Sequence, residues 1–307
     1  MFQKLRKSKK LVLVAMACAT FAIAGCGSDT TKNAADNGNA VTWSETFDGT
    51  KTDFAVKSSP THAVSMSQAT TEMMLQLGLE DKMDGTAFKE EEIYPPLQAA
   101  YDKVKVLSDK WPSYEVFMSV KPDFATGWPD SFSKRAIPAD KMIAQKVNIW
   151  LPESMLSTKA DLETNFNDMI KLGEIFGVKS KAEEWVAGQR KTLAAIQDKL
   201  KDLPRKRVFI YDSEDGQPFT AFEGYTTNIL KLIGADNVMS GLGVDKTWAK
   251  GSWETVIAQN PDYIIIADYG TSIRNDDDFQ QKIEKIKSNP QLQDITAVKE
   301  GHFIRVK

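Results

Sequence analysis

The sequence predicts an α/β protein of two similar lobes, each built on a parallel sheet, with a long helix joining them. Three observations predict this. An internal repeat runs through the two halves in the same order. Apolar strand-like runs alternate with helical stretches, the pattern of parallel sheets. A helical segment without strands separates the repeats.

The chain has 307 residues and opens with Lys4, Arg6, Lys7, Lys9 and Lys10, followed by an apolar run from Leu11 to Ala24. A charged start, a short apolar middle and small residues at a cleavage point define a signal segment. The run is short for a membrane span, which needs about 20 apolar residues. It ends in Ile23-Ala24-Gly25-Cys26, which resembles a bacterial lipobox and implies lipidation of Cys26 after cleavage. The other cysteine, Cys18, falls in the removed segment, so the mature chain has no second thiol for a disulfide. Residues 27–40 are small and polar and read as a tether.

The repeat begins with Thr70-Thr71-Glu72-Met73-Met74-Leu75-Gln76-Leu77-Gly78, matched by Thr226-Thr227-Asn228-Ile229-Leu230-Lys231-Leu232-Ile233-Gly234. Thr is expected to cap each helix, and Gly to close it in the left-handed conformation. A second pair follows. Ser113-Tyr114-Glu115 leads to Lys121-Pro122-Asp123, and Ser252-Trp253-Glu254 leads to Asn260-Pro261-Asp262. Ser is expected to cap a short helix that Pro then stops. Strands are predicted over 63–67, 207–211 and 263–267, the last a continuous apolar run suited to burial on both faces. Helices are predicted over 159–176 and 181–203. Each lobe is therefore expected to be Rossmann-like. The predicted divisions are a signal segment 1–25, lipidated Cys26 with its tether 26–44, an N-lobe 45–157, a connecting helix 158–178 and a C-lobe 179–307.

The whole chain carries a net charge of −3. Loss of the five positive charges of the signal segment leaves about −8, which argues against nucleic acid or an anionic membrane surface as partner. The sequence has no G-x-S-x-G, no H-E-x-x-H and no phosphate-cradling glycine loop, so no catalytic residues are assigned. Asp212-Ser213-Glu214-Asp215-Gly216 reads as a turn. The two histidines, His62 and His302, stand alone, and Glu90-Glu91-Glu92 reads as a solvated run, so no metal site or resident cofactor is assigned.

Taken together, the lipobox, the strand–Thr-Thr–helix–Gly unit, the duplicated Glu-x6-Pro-Asp unit and the helical connector resemble the helical-backbone solute-binding proteins of ABC importers. That group includes receptors for iron–siderophores, haem and vitamin B12. The resemblance covers about residue 55 to the C-terminus. It implies a ligand cleft between the lobes and a monomer held at the membrane by its lipid, outside the cytoplasm. It also implies an ABC permease with its ATPase subunits as partner, and a metal chelate of the iron–siderophore type as cargo. The implied role of Glu115 and Glu254 is permease docking, one carboxylate per lobe. Family members continue past the last strand, here 302–306, into a final helix, whereas this chain stops at Lys307; part of the C-lobe surface is then expected to lack its cover.

The cleft is expected at the carboxyl ends of the strands. Five loop aromatics are candidates to line it: Tyr94 in a Tyr-Pro-Pro turn, Trp111, Trp128, Phe219 beside Pro218, and Trp248. Aromatic walls suit a large planar or apolar ligand and are similar to those of the B12-binding branch, so a corrinoid is the alternative cargo. A membrane-anchored sensor or scaffold without transport is the alternative of another class. Arg135 and Arg274 are the cations available for an anionic chelate, each otherwise a surface residue.

Overall fold

The computed structural model describes residues 40–268 and 279–306. The predicted signal segment, Cys26, the 27–39 stretch and Arg274 lie outside the described residues. Within those residues no helix is long and apolar enough to cross a membrane.

The body opens with an antiparallel hairpin, β1 (Val41–Phe47) and β2 (Thr50–Val56). Its turn places Asp48 and Gly49 at φ 47° and 78°, the two positive values that a type I′ turn requires. Trp43 stacks on Phe54 and donates its indole N–H to the Ile149 carbonyl at 2.8 Å. The tether predicted to reach residue 44 therefore ends by Val41, because Trp43 and the buried Glu45 are strand residues turned to the body.

The N-lobe sheet uses β3 (Ala63–Ser65), β4 (Met83–Ala87), β5 (Val106–Ser108), β6 (Phe124–Thr126) and β7 (Asn148–Trp150), all parallel, in spatial order β5-β4-β3-β6-β7. Helices α1 (Gln68–Gln76), α2 (Gln98–Tyr101), α3 (Tyr114–Met118) and α4 (Ala139–Ile143) lie between its strands. Strand alternation sorts the core onto two faces. Phe124 and Trp150 join Met74 and Leu75 on one side, while Ala125 and Ile149 join Val64, Phe117 and Met142 on the other.

Helices α5 (Leu162–Ile175) and α6 (Lys179–Leu200) follow. The apolar stripe of α5 (Phe166, Met169, Leu172, Ile175) packs on the N-lobe, as do Ala182 and Val186 of α6. The connecting helix predicted over 158–178 is thus an N-lobe helix. The bridge is α6, whose 22 residues span about 33 Å and whose second half is largely exposed.

The C-lobe comprises β8 (Lys206–Tyr211), β9 (Ser213–Asp215), β10 (Gln217–Ala221), α7 (Tyr225–Leu232), β11 (Ala235–Asn237), β12 (Trp248–Lys250), α8 (Trp253–Gln259), β13 (Tyr263–Ala267), α9 (Phe279–Ser288), α10 (Thr296–Glu300) and β14 (Phe303–Val306). Its parallel sheet has the order β11-β8-β13-β14. Phe209, Tyr211, Ile264 and Ile266 face one core, and Val208 and Ile210 face the other. The segment read as a turn, 212–216, is instead strand β9 running into a tight turn at Gly216 (φ 69°). It pairs with β10, which pairs with β12, in a small antiparallel sheet.

The repeat is a physical duplication. Gly78 and Gly234 take φ 65° and 77° after α1 and α7. Ser113 and Ser252 cap α3 and α8, accepting the N–H of Val116 and Thr255. The Thr-Thr pairs do not cap their helices: Ser67 caps α1 and Gly224 stands at the start of α7. Instead the second Thr of each pair is fully buried and ties its helix to the neighbouring strand. Thr71 Oγ1 lies 2.6 Å from Thr86 Oγ1 in β4, and Thr227 Oγ1 accepts the Asn237 amide in β11 at 2.7 Å.

Candidate ligand cleft

In each parallel sheet the chain reverses its winding beside the central strand, between β3 and β6 in one lobe and between β8 and β13 in the other. Crevices form at the carboxyl ends of strands at such points. Two glycines stand at this cleft because no side chain fits. A Cβ on Gly127, just past β6, would lie 2.7 Å from Met66 Cβ. Gly224 sits at φ 88°, and its Cβ would meet Thr247 Cγ2 at 2.9 Å and the Ser157 carbonyl at 3.3 Å. Each is followed by an aromatic residue, Trp128 or Tyr225.

Between the lobes is a cavity of about 380 Å³. Ala69 and Met73 of α1 and Trp128 line it from the N-lobe, Ser154 and Met155 from the segment leading into α5, Asn165 from the first turn of α5, and Glu223, Tyr225, Thr226, Thr247 and Trp248 from the C-lobe. Ala69 and Tyr225 occupy the same position of the repeat, one residue before each Thr-Thr pair, so the starts of α1 and α7 flank the cavity. Two further depressions border it along α1, of about 540 and 630 Å³. Ala69 lines all three. The lobes also touch directly, through the Asn228 amide on the Ala160 carbonyl at 2.8 Å.

Of the five aromatic candidates, Trp128 and Trp248 line the inter-lobe cavity. The Trp128 indole donates to Glu90 Oε2 at 3.2 Å, and burial pushes the Glu90 carboxyl up. Phe219 lies behind Trp248, stacked at 6.2 Å. Tyr94 is 56% exposed and lines both neighbouring depressions. Trp111 is engaged elsewhere: it stacks on Phe88 at 4.6 Å and donates to the Met66 carbonyl. Sequence reasoning missed Met73, Glu223, Tyr225 and Thr247. The signal for Tyr225 was its place beside the repeated Thr-Thr pair; Met73 read as core because it sits within an apolar helical stretch.

Glu115 and Glu254 are exposed in the first turns of α3 and α8. Hydrogen bonds from its own backbone N–H and from Ser113 hold the Glu115 carboxyl below the usual range. Arg135 is paired with Asp130 at the surface. His62 contacts Asp84 at 2.6 Å, and His302 stacks on Tyr263. Glu90 and Glu91 donate their backbone N–H groups to Gln68 Oε1 at 2.9 and 2.7 Å. Among the described residues no group of three His, Cys, Asp or Glu side chains is placed to hold a metal ion.

Residues 64–307 match the family of periplasmic binding proteins, and the chain belongs to that family. It is 95% identical to a periplasmic binding protein of Veillonella parvula of known structure, with a TM-score of 0.85 over 88% of this chain and 91% of that one. It is 26% identical to an ABC transporter substrate-binding lipoprotein of Bacillus subtilis, covering 85% of this chain and 82% of the relative. It is 23% identical to a vitamin B12-binding protein of Vibrio vulnificus, over 78% and 79% of the two chains.

Proposed function

We propose that the protein is the extracytoplasmic solute-binding component of an ABC importer, which captures a metal chelate of the iron–siderophore type and delivers it to the permease. The observation that carries this reading is the cavity at the switch points of both sheets, to which the two lobes contribute Trp128, Tyr225 and Trp248 together. Ligand sites are concave, largely apolar and furnished with a few oriented polar groups, a description that Thr226, Thr247 and Asn165 complete here. The role is capture without turnover. In this reading Cys26 carries the lipid that holds the body at the membrane, and Glu115 and Glu254 meet basic residues of the permease, since paired carboxylate–guanidinium contacts orient a partner.

A corrinoid is the second reading, favoured by the aromatic lining and by the vitamin B12-binding relatives.

Thermal unfolding of the mature protein against ferric hydroxamates, ferric catecholates, ferric citrate, haem, cobalamin and free divalent metals tests the proposal. A ligand at 100 times its dissociation constant adds about 2.7 kcal/mol to the folded state, a shift of several degrees. A shift with one chelate supports capture; a shift with bare metal alone, or with none of the panel, defeats it.

A further inference from the structure

The lining of the cleft also carries a charge preference, and this inference rests on the chelate-binding reading above. The N-lobe lines the flanking depressions with Glu72, Glu90, Glu91 and Glu92, and the C-lobe lines the central cavity with Glu223. Glu72 stands on α1 and lines both flanking depressions, and Glu223 precedes α7 and lines the central cavity. Both are held in place by neutral donors. Glu72 Oε1 accepts from the Gln68 amide at 2.8 Å and from the Tyr94 N–H at 3.2 Å. Glu223 accepts from Ser240 Oγ at 3.0 Å and from the Gly241 N–H at 2.7 Å. Among the described residues that line the three cavities there is no Lys, Arg or His.

We infer that the cleft selects chelates whose net charge is positive or zero and discriminates against anionic ones. The aromatic faces act in the same direction, because the π-cloud of Trp or Tyr attracts a cation and repels an anion. An anionic chelate entering this groove gives up hydration and gains like-charge neighbours on both sides, which costs affinity. A cationic one gains a carboxylate from each lobe, and the gain grows as water leaves the cleft. The preferred ligand is therefore a bulky complex with an apolar or aromatic-compatible surface, in which the chelating groups neutralise the metal no more than completely.

The test uses two isosteric charge series on the mature protein, measured by calorimetric titration. One is a linear ferric trihydroxamate ending in an ammonium, an acetamide or a succinamate, as in ferrioxamine B and its N-acetyl and N-succinyl derivatives. The other is cobalamin with water, cyanide or sulfite as upper ligand. In whichever series binds, affinity is expected to fall on the order of fivefold for each unit of charge toward negative, and the spread to shrink in 1 M salt, where the screening length is about 3 Å. The double variant Glu72→Gln, Glu223→Gln is expected to narrow that spread. A flat or reversed charge order in a series that binds overturns this inference and leaves the chelate reading intact. Binding of neither series by a folded protein removes this inference; the chelate reading falls with it only when the wider thermal-unfolding panel is silent as well.

Discussion

Asp123 and Asp262 perform one task in two lobes. Asp123 accepts the backbone N–H groups of Thr61 at 2.9 Å and His62 at 3.0 Å, the residues that lead into β3. Asp262 accepts the N–H of Arg207 in β8 at 2.8 Å. Each returns its own N–H to the same neighbour, at His62 O and Arg207 O. The residue before each Pro-Asp pair, Lys121 or Asn260, takes the left-handed conformation at φ 50° or 44°. The duplicated Pro-Asp is thus a staple that fixes where the central strand begins. Asp123→Ala orphans two donors and is expected to cost about 2 kcal/mol, and Asp262→Ala about 1 kcal/mol. Urea unfolding midpoints check both values; equal and negligible losses would remove the staple role.

Glu45 gives stability a defined pH dependence. Burial pushes its carboxyl up to about 7, against the pull of the Leu151 N–H and with help from the charges of Glu153 and Asp168. A raised carboxyl favours folding while protonated. Its contribution is therefore complete below the unfolded value of 4.5 and is lost as pH rises through about 7, up to about 3 kcal/mol in all. Burial raises Asp168 in the same direction. Glu45→Gln keeps an acceptor for Leu151 and removes the charge. It is expected to leave stability at pH 5 nearly unchanged and to raise it at pH 8 by about 2 kcal/mol. A parent protein equally stable across this window would contradict the assignment.

Contact between the lobes depends on a glycine and an amide. Gly224→Ala introduces a Cβ at a positive φ and against Ser157 and Thr247, a strain of about 1–3 kcal/mol. Asn228→Ala removes the hydrogen bond to Ala160, worth about 1 kcal/mol. Both variants are expected to enlarge the radius of gyration without ligand and to weaken capture. Small-angle scattering with and without the chelate separates that outcome from simple unfolding.

Trp128 and Trp248 are expected to behave differently from Trp111. Alanine at either cleft position should lower chelate affinity on the order of tenfold to a hundredfold, through about 1.5–3 kcal/mol of lost apolar contact, with a small effect on unfolding. Trp111→Ala removes the Phe88 stack and the bond to Met66 and should cost about 2–4 kcal/mol of stability. Titration and denaturation of the three variants, side by side, decide the matter.

Uptake by cells expressing Glu115→Ala with Glu254→Ala is expected to fall severalfold while chelate affinity in solution is retained. Transport at the parental rate would dissociate these carboxylates from docking.

The repeat made the two lobes legible, because Gly78 with Gly234 and Ser113 with Ser252 are local signals that chain geometry enforces. What escaped were features set by long-range pairing. The Asp48-Gly49 turn carries the hairpin signal, yet the polar alternation of 41–47 resembles tether until β2 covers it. The role of the Thr-Thr pairs was misassigned because their partners, Thr86 and Asn237, lie in neighbouring strands. In the cleft, loop position alone separated neither Trp128 from Trp111 nor Trp248 from Phe219. Trp111 is taken up by the face of Phe88, whereas Phe219 and Trp248 are strand residues of β10 and β12, not loop residues, that stack on each other, and of the two Trp248 lines the cavity.

The single crossing through α6 has a consequence for biogenesis. The N-lobe cores end with Val186, and the C-lobe cores begin at Val208. A chain emerging N-terminus first therefore completes one lobe's interior before the other's first core strand arrives, and the growing end never has to thread back into a half-built sheet. Such sequential maturation limits the time that apolar strands stand exposed to aggregation.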